Sequence, residues 1–146
     1  MVNLKERTDV TEIHGDVTHV TEEHVESLIL RSIGEVEYRI VDKPDVWLDV
    51  SYHLLQSEFD SSVLDPYERY AEWLELNLQG QNPFPFLMMV AYLREGNNAI
   101  AVGVISGNIM QIEEYAGANP NDSAPLFMFA IGHQITSKFL RGRALP

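Results

Sequence analysis

Apolar and polar positions divide the chain into a weakly patterned N-terminal stretch and a strongly patterned remainder. Between residues 8 and 20, Val10 and Ile13, then Val17 and Val20, fall on either side of Gly15, which predicts a hairpin or an extended arm. Thr21-Glu-Glu-His24 follows as a loose capping sequence, and Val25, Leu28 and Ile29 with a stop at Gly34 predict a short amphipathic helix. Glu37-Tyr-Arg-Ile-Val41 alternates, favours a strand, and ends at Asp42-Lys-Pro44. A helix is expected next, with Asp45 near its start and Val46, Trp47, Val50, Leu54, Leu55 and Phe59 forming a broad apolar face. The helix after it has fuller punctuation. Asp65 is placed to cap it, Pro66 to occupy its first position, Glu68 follows the cap by three residues, and Gly80 stops it. Its inward stripe is Tyr67, Tyr70, Ala71, Leu74 and Leu78.

From Phe84 the period changes from helical to extended. Phe86 to Leu93, a turn at Arg94-Glu-Gly-Asn-Asn98, and Ala99 to Ser106 predict a hairpin, with Gly103 and Gly107 marking close backbone approach or a bulge. A polar loop from Glu113 to Ser123 leads to a last strand, Leu126 to Thr136. The element order is therefore β-α-α-β-β-β, an α/β chain of the α+β kind. Residues 1–36 form an acidic arm and residues 37–146 the domain.

Composition adjusts this picture in three ways. At 146 residues and 45% hydrophobic, the chain has the size and apolar content of one folded domain. It contains no cysteine, which excludes disulfides, thiolate metal sites and a cysteine nucleophile. The start mixes charges and the longest apolar run, Phe86 to Leu93, is too short to span a bilayer, so a cytoplasmic protein without membrane contact is expected. The net charge of −12 opposes nucleic-acid binding, but it is unevenly placed. Residues 1–40 carry −5, residues 41–80 carry −7, and residues 81–146 balance four acids against four bases. Lys138, Arg141 and Arg143 thus end an acidic chain in a cationic tip.

Most reactive side chains lack a supporting pattern. His14, His19 and His24 recur every five residues, a spacing that fits neither one face of a helix nor one face of a strand, so no metal site is expected. Ser51, Ser57, Ser106 and Ser137 have no nucleophile-elbow context. Asp49, Glu68, Glu72 and Glu75 lie opposite apolar stripes and are expected in solvent. The segment from Ser137 to Pro146 is different, because Gly142 between two arginines allows backbone approach to an anion.

The element order, Ala101-Val-Gly-Val-Ile-Ser-Gly107, and Ile135-Thr-Ser-Lys-Phe-Leu-Arg-Gly-Arg-Ala-Leu-Pro146 together resemble the first half of a GNAT N-acetyltransferase. The resemblance covers roughly residues 37–146. In that family the fourth core strand runs into a loop, Gln/Arg-x-x-Gly-x-Gly/Ala, that cradles the pyrophosphate of acetyl-CoA. Arg141 matches its first position, and Gly142 and Arg143 are common residues between. Ala144 replaces the first glycine and Pro146 the second small residue, changes that weaken a backbone cradle.

The resemblance implies a GNAT-like mixed sheet cut after its fourth core strand, with acetyl-CoA as co-substrate and a small-molecule or peptide amine as acceptor. It implies backbone donors around His133, Gln134 and Ile135 for the thioester carbonyl, and Arg141, Gly142, Arg143 and Ala144 against the cofactor. Glu113, Glu114 and His133 are the candidate bases. A sheet cut there would leave Phe127, Phe129, Ile131 and Ile135 as an exposed apolar face. A longer chain, a second copy or another partner is then expected to cover it. The competing expectation is a catalytically inactive acidic binding or regulatory module on the same scaffold.

Overall fold

A computed structural model describes residues 13–29, 35–112 and 126–141. Its elements, in order, are β1 (Val17–His19), α1 (Glu22–Ile29), β2 (Glu37–Ile40), α2 (Val46–Gln56), α3 (Tyr67–Leu78), β3 (Phe86–Glu95), β4 (Asn98–Ile112), β5 (Leu126–Thr136) and a short 3-10 turn at Lys138–Leu140. The class is mixed α+β. β2, β3, β4 and β5 run antiparallel in sequence order, and β1 joins the same sheet parallel to β4.

Local chemistry explains most boundaries. Asp45 caps α2, its carboxylate accepting from the Trp47 amide at 2.9 Å, as its position before the apolar face predicts. The start of α3 differs from expectation. Pro66, extended at ψ 153°, is the cap residue and makes no side-chain capping bond, so Asp65 lies one residue outside the helix. Gly80 does end α3 with a positive φ of 68°, a conformation that a β-carbon disfavours. Gly96, at φ 62°, supplies the left-handed residue of the two-residue turn joining β3 to β4.

The strand pleat sorts residues onto two faces. Phe86, Met88, Val90, Tyr92, Ala101 and Val104 face α2 and α3, where Trp47, Leu48, Leu54, Leu55, Tyr70 and Leu74 close the main core. The Trp47 and Tyr92 rings meet at 4.9 Å, and the Arg39 guanidinium lies 4.8 Å from the Trp47 ring centroid. Asn77 ties α3 to β3 by accepting from the Phe86 amide at 3.1 Å and donating to the Phe86 carbonyl. Two expected core residues stay outside, since Leu78 is 60% exposed and Val46 is 46% exposed. On the opposite face Val20, Leu28, Val36, Leu93, Ile100, Val102 and Leu140 form a second core at one end.

Residues 8–12, the first half of the hairpin or arm expected around Gly15, lie outside the described residues. In the described part, Val17 to His19 pair with Ala99 to Ala101, and Gly15 donates to the Asn97 carbonyl at 2.7 Å. β1 and β5 consequently share one edge of β4, β1 taking Ala99 to Ala101 and β5 taking Gly103 to Ile112.

Both glycine marks in β4 coincide with irregular pairing. Val102 is extra opposite Ala91 and Tyr92, and Gly103 passes so close to β5 that a β-carbon there would sit 3.2 Å from the Ile135 carbonyl oxygen. Across from Ser106 and Gly107, Gly132 is the unpaired residue of β5. This bulge corrects one expectation. Ile131 and Ile135 have the same parity in sequence, yet the extra residue puts them on opposite faces. Ile135 is buried against α2 and α3, whereas Ile131 is 56% exposed on the other side.

Candidate functional site

The C-terminal end of β5 carries His133, Gln134 and Ile135 and leads to Arg141. His133, on the helical side, meets Phe59 edge-on with centroids 4.8 Å apart. Phe59 is held there because the segment after α2 continues as a turn, its amide donating to the Leu55 carbonyl at 2.9 Å. Gln134 and Thr136 lie on the opposite face. With Val36, Tyr38, Met89, Ala91 and Gly103 they line an open cavity of about 250 Å³ that carries no charged side chain. Gly103 is what makes this cavity deep, because any larger residue there would fill it and press on β5.

The backbone of this segment has a defined polarity. Ser137 donates to the Val102 carbonyl at 2.8 Å, and the Ile135 carbonyl is directed at β4, so the amides at odd positions face the sheet. The Thr136 carbonyl points the other way and accepts from Arg141 at 3.2 Å. By the same alternation the Gln134 amide lies on the outer edge of β5, where no strand among the described residues pairs with it. Of the three residues expected to donate to a carbonyl, Gln134 is therefore the one whose N–H no described strand takes up; the Ile135 amide faces β4.

Arg141 is 53% exposed and forms an ion pair with Glu58 at 2.6 Å. The second carboxylate oxygen of Glu58 is buried and makes no hydrogen bond. Its charge sits beside the guanidinium, so an anion approaching Arg141 must compete with this carboxylate. Glu58 carries no sequence signal, since it follows α2 in an irregular segment far from Arg141 along the chain. Glu113, Glu114, Gly142, Arg143 and Ala144 lie outside the described residues.

A second cluster adjoins the first. His19 on β1, Glu22 on α1, Ser57 after α2, and Ser137 and Lys138 after β5 line a cavity of about 240 Å³. The His19 and His53 rings stack at 6.1 Å, and the Thr21 hydroxyl and His24 Nδ1 are 3.2 Å apart. Partial burial, followed by the neighbouring His53 and His24, holds the His19 imidazole below its ordinary pKa. The five-residue spacing hid this association because β1 and α1 change the backbone period between His19 and His24. His53 comes from a different element altogether.

Among the described residues, no group of three or more His, Asp or Glu side chains is placed to hold a metal ion. No helix among them is long and apolar enough to cross a membrane. Compared with known proteins, the chain matches no family model, no curated protein and no solved structure.

Proposed function

We propose that this chain is an acetyl-CoA-dependent N-acetyltransferase, or the N-terminal part of one, working in the cytoplasm on a small-molecule or peptide amine. The observation that supports the reading is the antiparallel run of β2 to β5, with two helices between its first and second strands in sequence packed on one face, followed in the sequence by a cationic segment. The outward Gln134 amide, with which no described strand pairs, supports the same reading, because it suits a carbonyl oxygen that gains negative charge.

In the reaction the amine nitrogen bonds to the thioester carbonyl carbon, the carbon–sulfur bond breaks, and coenzyme A leaves as the thiolate. A base takes the amine proton and the thiolate is protonated. His133 is the candidate base within the described residues, with Glu113 and Glu114 as alternatives. Arg141, Gly142, Arg143 and Ala144 are assigned to the cofactor phosphates. The acidic residues 1–80 favour a cationic acceptor over nucleic acid.

The test is a denaturation curve with and without acetyl-CoA. At 100 times its dissociation constant, a ligand specific for the folded state adds about 2.7 kcal/mol. Glu58→Gln, which releases Arg141, should tighten cofactor binding. No shift at millimolar acetyl-CoA overturns the reading.

A non-catalytic binding module is the second reading, favoured by one observation. Tyr38, Ile40 and Ile131 are each about half exposed on the sheet face opposite α2 and α3, beside the uncharged cavity. On this reading a second copy or another protein covers that face. The chain then sediments as an assembly that Ile131→Lys dissociates, and acetyl-CoA has no effect.

A further inference from the structure

Imidazoles lie beside the joint between the described part of the N-terminal arm and the sheet. Three residues of β1 pair with β4, and the Val20 amide adds a bond to the Ala101 carbonyl at 2.9 Å. His19 lies beside this joint, half-buried, its ring stacked on exposed His53 of α2. His24 comes from the first turns of α1, and Lys138 from the 3-10 turn lines the same cavity as His19. Glu22 is the one carboxylate on that cavity lining, and β4 presents uncharged Ala101 opposite His19. His19 and Lys138 thus line one cavity with a single lining acid, and the His53 ring lies 6.1 Å from that of His19.

We propose that residues 13–29 form a pH-operated latch, which protonation of His19, beside His53 and Lys138, releases from the sheet. The His19 ring lies near-parallel to the His53 ring, with centroids 6.1 Å apart. A proton on His19 places a charge in the cavity that Lys138 also lines, beside the His53 ring, where Glu22 is the one lining carboxylate.

The thermodynamic sign agrees with release in acid. Below the ordinary histidine pKa the unfolded chain binds a proton that folded His19 resists. Stability is therefore full above that pKa and falls as the pH drops towards the folded value. Release has a structural consequence beyond the arm. Leu28 of α1 packs with Leu140 in the second core, with Phe139 against its edge, so detachment uncovers the segment between β5 and Arg141. The latch does not depend on acyl transfer.

Hydrogen exchange on the full chain at pH 7.5 and 5.5, expressed as protection factors, tests it. The Val20 amide should lose at least tenfold protection in acid, while the Val90 and Val104 amides of the central strands keep theirs. The His19→Gln, His53→Gln double variant should keep its Val20 protection at both pH values. Should that variant not fold, proton titration of the unaltered protein by NMR gives the same decision, because the His19 ring and the arm amides should follow one curve. Unchanged Val20 protection in acid, equal loss in the double variant, or arm amides that ignore the His19 titration would each overturn the proposal.

Discussion

Gly15→Ala asks whether the arm is seated on the β3–β4 turn as described. Gly15 has a negative φ, so its backbone suits alanine, and in open space the substitution would stabilise the chain by about 0.4–1 kcal/mol through the unfolded state. The space is not open. A β-carbon at Gly15 would lie 2.1 Å from Asn98 Oδ1 and 2.6 Å from the Asn97 carbonyl oxygen. The side chain of Asn98 can rotate away, but the Asn97 carbonyl belongs to the turn and has to be displaced with it. Displacement threatens the bond from Gly15 to Asn97 at 2.7 Å and the bond from the Asp16 amide to Asn98 Oδ1 at 2.9 Å.

At about 1 kcal/mol net for each bond, the loss is roughly 2 kcal/mol, which exceeds the unfolded-state gain and leaves a destabilisation of about 1–2 kcal/mol. Urea denaturation measures the total. Exchange at the Ala99 amide, which donates to the Asp16 carbonyl at 2.8 Å, locates it. Asn98→Ala should relieve part of the clash, so the two substitutions should cost less together than their sum. If Gly15→Ala were as stable as the unaltered chain or more so, the seating of the arm would be refuted.

Three other outcomes follow from single contacts. Asp45→Ala should cost about 1 kcal/mol in urea denaturation by removing the α2 cap, whereas Asp65→Ala should not act through capping, because that carboxylate caps nothing. Ser51 is fully buried on α2 with no partner for its hydroxyl, so Ser51→Ala should raise stability by up to about 1 kcal/mol in the same assay. In an alkaline titration followed by phenolate absorbance, Tyr67 and Tyr70 should ionise late, at about 12. Burial is the leading cause for both, with the Asp49 carboxylate adding to it at Tyr67 and the charge of Asp65 at Tyr70. Because these folded values are raised, the stability they contribute is present below the ordinary phenol pKa and is lost as the pH climbs through about 12.

Local physics made much of this chain legible from its sequence. Period and punctuation are properties of neighbouring residues, so the α2 cap at Asp45, the α3 stop at Gly80, the β3–β4 hairpin and the last strand could all be read there. The irregularity near Gly103 was legible for the same reason, since glycine in an apolar strand has little other use. What the sequence could not decide is what meets what across the sheet. One unpaired residue, Gly132, sends Ile131 and Ile135 to opposite faces, and a bulge is a relation between two strands rather than a property of one.

The site divides along the same line. Arg141 and His133 stood out as residue types in a cationic or strand-end context. Only the tertiary structure set Glu58 on Arg141, Phe59 on His133, and His53 on His19, because each pair joins elements distant in sequence. Sequence fixes which groups can carry charge; the packing of α2 against β1 and β5 decides which of those charges share a cavity, and therefore which must compete.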